Sequence, residues 1–179
     1  MDMIRRNLYL EKIRPFIDAD LIKILIGLRR SGKTILLGQI RELIREKGVP
    51  EENLIEINFE SRKFRQLENG DVFYQYVMER AEKIQGRVYL FLDEIQHVGD
   101  WQSVIPSFRV DLDCDIYVTG SNNKLLSGEA VTYLASRYVA FHIYPFTLSE
   151  IRELYEKNGM VYTKEELFSD YLKYGGLPM

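Results

Sequence analysis

Residues 27–34 read Gly-Leu-Arg-Arg-Ser-Gly-Lys-Thr and directly follow a short apolar run. The spacing of Gly27, Gly32, Lys33 and Thr34 matches the Walker A phosphate loop. The glycines let backbone N–H groups approach phosphate oxygens, and the helix expected after the loop presents the positive end of its dipole to the same anion. The stretch therefore predicts a nucleoside triphosphate site at a strand-to-helix turn.

Each residue of this loop has an expected role. Lys33 is expected to reach the β- and γ-phosphates, and the hydroxyl of Thr34 suits a Mg²⁺ ion. Arg29 and Arg30 either contact phosphate or a partner, or are simply exposed loop charges, and the sequence leaves both interpretations open. The predicted nucleotide-binding residues are Gly27, Leu28, Arg29, Arg30, Ser31, Gly32, Lys33, Thr34 and Ile35.

A second acidic motif follows the strongly apolar run 88–92, which ends in Asp93 and Glu94. Asp93 has the position of the Walker B carboxylate, which holds Mg²⁺ together with Thr34. Glu94 is placed to accept a proton from an attacking water. The alternative is that both are ordinary acidic residues at the end of a strand. Given the loop at 27–34, the sequence favours the metal and general-base roles.

Strand-like and helix-like segments alternate along the chain, which predicts an α/β domain with a mostly parallel five-stranded sheet. The strands are expected at 21–26, 54–59, 88–92, 115–119 and 138–143, and the helices at 33–47, 72–84, 101–109, 124–135, 149–157 and 163–174. Ser149 is expected to cap its helix, and Thr163 with Glu166 forms a predicted capping box.

Composition bounds the setting of this domain. The 179 residues carry a formal net charge of −3, so no bulk attraction to nucleic acid or acidic membranes is expected. Cys114 is the only cysteine, which excludes an intrachain disulfide and fits a reducing cytoplasm. No secretory leader and no apolar run of about 20 residues is visible. We expect a soluble cytoplasmic protein without a membrane partner.

A complete strand-and-helix unit, beginning at the strand 54–59, separates the loop from Asp93, as in the additional-strand class of ATPases. Together with further motifs, this order resembles a largely uncharacterised family of prokaryotic AAA-superfamily ATPases, near the archaeal ATPases and the signal-transducing NTPases. The resemblance spans about Arg5 to Met179. Its motifs are Gly27–Thr34, Phe91–Gln96, Trp101, Thr119–Asn122 and Gly175–Pro178.

The resemblance implies a domain organisation. Residues 1–146 would form the P-loop ATPase core, and residues 147–179 an incomplete helical lid. Members of the family typically continue into a C-terminal domain resembling a restriction endonuclease. Because residues 175–178 read as a turn between elements, we expect this chain to be a fragment of a longer protein.

The resemblance also assigns roles to single residues. Asn122 matches sensor 1, with Ser121 as the alternative, although a turn would use the same residues. Asn58 matches the polar switch that holds the catalytic glutamate in an inactive rotamer. Arg137 matches an arginine finger acting on a neighbouring subunit, against the interpretation of a solvated or salt-bridged arginine. Pro178 would pack on the nucleotide base.

Three functions remain in competition. The first is an ATPase that binds Mg-ATP, hydrolyses it to ADP and phosphate, and couples turnover to conformational change. The second is a nucleotide-dependent molecular switch with negligible turnover, which would signal through the C-terminal domain that is missing here. The third is a DNA-loading module, which the net charge does not indicate. One local basic cluster, Arg62, Lys63, Phe64 and Arg65, is either a solvated loop or a loop that contacts DNA or a partner. A homo-oligomer or a partner protein is compatible with all three.

Overall fold

The computed structural model describes residues 4–121, 125, 134 and 137–176. The helices are α1 (Asn7–Ile13), α2 (Lys33–Glu46), α3 (Gly70–Ala81), α4 (Trp101–Asp111), α5 (Leu148–Lys157) and α6 (Lys164–Tyr174). The strands are β1 (Ile22–Gly27), β2 (Leu54–Asn58), β3 (Val88–Asp93), β4 (Cys114–Ser121) and β5 (Tyr138–Ile143). The helix predicted at 124–135 lies outside the described residues, apart from two isolated positions.

The five strands form one sheet in the order β2-β3-β4-β1-β5, and the neighbouring strands pair in parallel. β4 therefore lies between β1 and β3, and β2 adds a strand outside β3. This order confirms the predicted α/β fold of the additional-strand class. Because the strands are parallel, the carboxyl ends of β1 and β3 lie at the same edge of the sheet.

Both faces of the sheet are covered by helices. On one face, Ile24 and Leu92 belong to a core that also contains Phe73 of α3 and Phe108 of α4. On the other face, side chains of the alternate strand positions pack in a second core with α1 and α2; they include Leu25, Phe91, Leu10, Leu37 and Ile40. β1 and β3 are buried along their whole length and are almost entirely apolar, which explains why the sequence predicts them well.

The helix boundaries depend on capping contacts. α3 begins two residues before the predicted start because the side chain of Asn69 accepts a hydrogen bond from Val72 N at 3.0 Å. The prediction that Ser149 caps α5 is wrong. Thr147 is the cap, and it forms a capping box with Glu150, so that Ser149 lies inside the first turn. The capping box of Thr163 with Glu166 is confirmed at the start of α6.

Within the described ranges, none of the helices combines the length and the apolar character needed to cross a membrane.

Candidate functional site

The phosphate loop connects β1 to α2 and is packed tightly against β5. A Cβ atom built on Gly27 would lie 2.2 Å from the carbonyl oxygen of Ile143, so only glycine fits at the end of β1. Ser31 is buried, and among the described residues its Oγ has no hydrogen-bond partner. A buried hydroxyl without a partner in the loop fits a site that is completed by a polar ligand.

The backbone of the loop is left-handed at two positions, of which one is a glycine and the other, Arg30, is a strained non-glycine residue. Arg30 has a φ of 65° and Gly32 a φ of 90°, which are left-handed conformations. The side chains of Leu28, Arg29 and Arg30 are exposed, as is Ile35 in the first turn of α2. The sequence left a phosphate contact and a solvated position open for the two arginines, and their exposure is compatible with either.

Lys33 is buried, with 6% of its surface exposed, and its amino group folds back onto the loop. Its Nζ donates to the carbonyl oxygens of Gly27 at 3.3 Å and Leu28 at 3.1 Å. The ammonium group is thereby held inside the curve of the loop. A buried cation paired only with carbonyl dipoles favours the arrival of an anion.

Asp93 lies at the end of β3, where it receives hydrogen bonds from three other elements. Its carboxylate accepts from the hydroxyl of Thr34 in α2 at 2.9 Å, from the amide of Asn58 in β2 at 3.1 Å, and from the hydroxyl of Thr119 in β4. Burial raises the pKa of Asp93 above its ordinary value, although the hydrogen bonds from Thr119 and Thr34 oppose that rise. The carboxylate is therefore well positioned but poorly solvated.

Glu94 follows in a left-handed conformation, with a φ of 56°, and its N–H donates to Thr119 Oγ1 at 3.0 Å. Its carboxylate accepts a hydrogen bond from Nε2 of Gln96. The expectation that Asn58 holds Glu94 is wrong for this conformation. Asn58 is the register partner of Asp93 on the neighbouring strand, so its side chain reaches Asp93 instead.

Thr34 and Asp93 fit the Mg²⁺ ion that the sequence implies. Both offer hard oxygen atoms, and these lie 2.9 Å apart at the mouth of the phosphate loop. The described residues contain no group of three or more His, Cys, Asp or Glu side chains that would hold a metal alone. Mg²⁺ is commonly bound by one or two protein oxygens together with nucleotide phosphates, and this donor set suits that arrangement.

The remaining predicted residues do not join this cluster. Arg137 is exposed and directly precedes β5, and its carbonyl oxygen accepts from Ile22 N at the start of β1. It therefore lies at the amino end of the sheet, opposite the phosphate loop. Asn122 and Pro178 lie outside the described residues, as does the side chain of Ser121.

Sequence reasoning gave no role to three residues of this region, although two of them, Thr119 and Gln96, lie within motifs of the family resemblance. Thr119, which touches both acidic residues, is one polar position in the apolar strand β4. Gln96 follows the acidic pair by two positions, and Gly120 makes room for it, since a Cβ there would lie 2.2 Å from Gln96 Oε1. Arg6, far away in sequence, donates to the carbonyl oxygen of Ser31 at 2.9 Å.

The basic cluster after β2 lies on a short 3-10 helix, Arg62–Glu68. Arg62, Lys63 and Arg65 are exposed, and Phe64 packs edge-on against Tyr76 with its ring centroid at 6.4 Å. This contact packs the aromatic ring against the core and leaves the charges at the surface. They do not distinguish a solvated loop from one that contacts a partner.

The strand order, the phosphate loop after β1 and the acidic pair after β3 define a P-loop NTPase of the additional-strand class. The family model described as "AAA domain" matches residues 19–152. The chain belongs to this family and is an AAA-superfamily, nucleotide-binding module of the ATPase type.

The similar proteins agree with this placement. An uncharacterised protein of Haemophilus influenzae is 39% identical over 176 residues, which cover 98% of this chain and 44% of the relative. Cdc6p from Pyrobaculum aerophilum aligns with a TM-score of 0.59 at 13% identity, over 86% of this chain and 48% of its own. AMPPCP-bound DnaA from Aquifex aeolicus aligns with a TM-score of 0.57 at 15% identity, over 94% of this chain and 57% of its own.

These two structural likenesses concern the fold alone. The chain spans less than half the length of the curated relatives it matches, namely 44%, 42% and 41%.

Proposed function

We propose that this protein binds Mg-ATP and hydrolyses it to ADP and phosphate, coupling turnover to conformational change. The observation that carries the proposal is the juxtaposition of Thr34 and Asp93, with 2.9 Å between Oγ1 and Oδ2, beside a loop that buries the ammonium group of Lys33. A cation, a hydroxyl and a carboxylate at the mouth of one glycine-rich loop suit a triphosphate with its metal ion.

Each residue has a defined task in this proposal. The backbone N–H groups of residues 27–34 and the amino group of Lys33 hold the phosphates. Thr34 and Asp93 hold Mg²⁺, which when bound neutralises charge on the phosphate oxygens. Glu94 accepts a proton from the attacking water. Asn122 as sensor 1 and Pro178 against the base complete the proposed site.

The helical segment and the choice of nucleotide are part of the same proposal. Residues 1–146 would form the core, and α5 and α6, within 147–179, the beginning of a lid over the nucleotide. ATP rather than GTP is inferred from the family. The AMPPCP bound to DnaA, a structural neighbour, is an ATP analogue and agrees with that choice.

A switch with negligible turnover is the second candidate, and one contact favours it. Gln96 donates to the carboxylate of Glu94 and so competes with water for the proposed general base. If this contact persists with nucleotide bound, the protein would hold ATP or ADP and signal without hydrolysis.

The test compares wild-type protein with Lys33→Ala and Glu94→Gln in ATP binding and in phosphate release. We expect Lys33→Ala to abolish measurable binding, because the phosphates lose their buried cation. We expect Glu94→Gln to bind ATP as wild type does and to lose at least 100-fold in turnover, within the usual range for a general base of about 10²–10⁴. Arg62→Ala, an exposed change outside the site, is the control. Turnover equal in wild type and Glu94→Gln, with binding intact, would favour the switch.

A further inference from the structure

Arg6 is a buried arginine that none of the roles above uses. Only 1% of the surface of Arg6 is exposed, although the residue precedes α1 near the amino end of the chain. Its backbone N–H donates to Gln39 of α2 at 2.9 Å, and the Gln39 amide donates to the carbonyl oxygen of Ile4 at 2.7 Å. The segment that carries Arg6 is thus tied to the helix that leaves the phosphate loop.

The guanidinium group joins two parts of the molecule. Its Nη1 donates to the carbonyl oxygen of Ser31 in the phosphate loop at 2.9 Å and to that of Tyr144, just after β5, at 3.0 Å. Its Nε and Nη2 donate to the two carboxylate oxygens of Glu150 in α5 at 2.9 and 3.2 Å. One rigid, planar group therefore connects the phosphate loop with the start of the C-terminal helices.

The pair with Glu150 compensates the buried charge. Burial by itself would raise the pKa of Glu150, but hydrogen bonds from Arg6 and Thr147 bring it below its ordinary value. Glu150, the third residue of α5, is also the glutamate of its capping box, so its carboxylate fixes the helix start and the arginine together. Removing Glu150 would leave the fully buried charge of Arg6 without its counter-ion, which is unfavourable.

The bond to Ser31 also has a consequence for phosphate binding. In a planar trans peptide the C=O and the following N–H point in opposite directions. By holding the Ser31 carbonyl, Arg6 directs the N–H of Gly32 away from itself. A cation bonded to the carbonyl also polarises the peptide and strengthens that N–H as a donor. Arg6 therefore orients a backbone donor of the loop without touching the ligand.

The chain directly after α6 contacts the connection between β5 and α5, which Arg6 also contacts. The guanidinium carbon of Arg6 lies 5.0 Å from the ring centroid of Phe146. Phe146 N donates to the carbonyl oxygen of Gly176 at 2.6 Å, and a Cβ on Gly176 would lie 1.9 Å from the Phe146 carbonyl oxygen. Both C-terminal helices are thus fastened to the connection that Arg6 holds: α5 at its start and α6 at its end.

We propose that Arg6 is a positioning residue that couples nucleotide occupancy of the phosphate loop to the placement of α5 and α6. It does so through its bonds to Ser31 and Glu150. The inference rests on the proposed nucleotide binding and adds to it the route by which the helical segment senses the ligand. Because such coupling is reciprocal, loosening α5 also weakens nucleotide binding.

The experiment measures Mg-ATP affinity by calorimetry and amide hydrogen exchange in α5, with and without ATP. In wild type, saturating ATP is expected to slow α5 exchange at least threefold. Arg6→Gln is expected to lose at least tenfold in affinity. Glu150→Gln, which retains an oxygen for the helix cap, is expected to bind ATP at least threefold more weakly than wild type, and its α5 exchange no longer responds to ATP. Arg5→Gln, next to Arg6 but exposed and paired only with Glu46, is the matched control and should bind within twofold of wild type.

Each other outcome has a defined meaning. Affinity within twofold of wild type in both Arg6→Gln and Glu150→Gln would overturn the coupling. An unchanged rate of amide hydrogen exchange in α5 of the wild type when ATP is bound would also overturn the coupling. If Arg6→Gln does not fold, the exchange response of Glu150→Gln decides. A wild type that binds ATP no better than Lys33→Ala would instead refute the proposed function, and this inference with it.

Discussion

At the scale of one residue, the buried carboxylate of Asp93 suits a metal ion but destabilises the fold when no metal ion is bound. Its carboxylate is 3% exposed and touches two hydroxyls and an amide, but no cationic side chain donates to it among the described residues. Without a compensating charge, ionisation of a buried carboxyl costs folding free energy. Such a site is stabilised when a metal ion and phosphates arrive.

This balance predicts that Asp93→Asn raises the thermal stability of the nucleotide-free protein at pH 8 while abolishing turnover. Because the pKa of Asp93 is raised, the folded state binds this proton more tightly than the unfolded state does. The contribution of Asp93 to the free energy of unfolding is therefore lost as pH rises above the ordinary pKa of an aspartate. A gain of about 1 kcal/mol in the free energy of unfolding would raise the Tm of the variant by about 2–4 °C. Calorimetric scans at pH 8 and pH 5 check it, and the gain should shrink at the lower pH. A lower Tm at pH 8 would contradict the balance.

At this scale the sequence predicts what is local. Residues 27–34 are contiguous, so their spacing alone indicates the loop. The two Walker motifs predict that Thr34 lies beside Asp93, but they do not predict the contacts of Asn58 and Thr119, which lie on two other strands. The resemblance pairs Asn58 with Glu94, but sequence order does not show which of the two adjacent carboxylates the neighbouring strand faces, and in the structure it is Asp93.

At the scale of elements, the amino ends of β1 and β4 are held by a buried ion pair. Lys23 and Asp115 are fully or almost fully buried and in direct contact, and Lys23 Nζ also donates to the carbonyl oxygen of Ala19 at 2.7 Å. Asp115 accepts further bonds from Tyr117 Oη and Asp18 N, each at 2.8 Å. Burial lowers the pKa of Lys23, and the charge of Asp115 opposes that change.

We predict that Lys23→Met destabilises the fold by about 3–5 kcal/mol, because Asp115 stays buried without its cation. The double variant Lys23→Met/Asp115→Asn should regain at least half of that loss, since the amide oxygen still accepts from Tyr117 and Asp18. Urea denaturation followed by circular dichroism measures both. Equal losses in the single and double variants would show that packing rather than charge determines the effect.

The sequence predicts the strands better than the helix ends. Each predicted strand agrees with the structure within two residues at either end, because all five strands are short runs that are mostly apolar, and β1 and β3 are buried along their whole length. The start of α5 was misassigned because Thr147 and Ser149 both suit a cap. Which of them acts depends on the residue three positions later, and only Thr147 has a glutamate there.

At the scale of the whole molecule, the sheet separates Arg137 from the phosphate loop of its own chain. Tyr138 pairs with Ile22 at one end of β1, while Gly27 forms the other end. A strand of this length spans about 17–20 Å. Arg137 therefore cannot reach the nucleotide of its own subunit, and any role as an arginine finger requires a second copy.

We predict that turnover per subunit rises with protein concentration and that Arg137→Ala removes the rise, as a finger supplied by a neighbour would require. A finger of this kind is worth about 10³–10⁵ in rate. Phosphate release measured over a hundredfold range of protein concentration checks it, with Arg62→Ala as the control arginine. If turnover per wild-type subunit does not depend on protein concentration, Arg137 is a solvated or salt-bridged arginine and not an arginine finger.

The contacts of Arg6 have a consequence for biosynthesis. The guanidinium and the Glu150 carboxylate are separated by 144 residues, so the arginine leaves the ribosome long before its counter-ion. A nascent chain can form α1 and α2 early, yet β1 pairs with β4 and β5, and Arg6 lacks its counter-ion until β5 and α5 have emerged. The loop would thus mature last although it is translated early, which would keep unfinished chains from occupying nucleotide before their fold is complete.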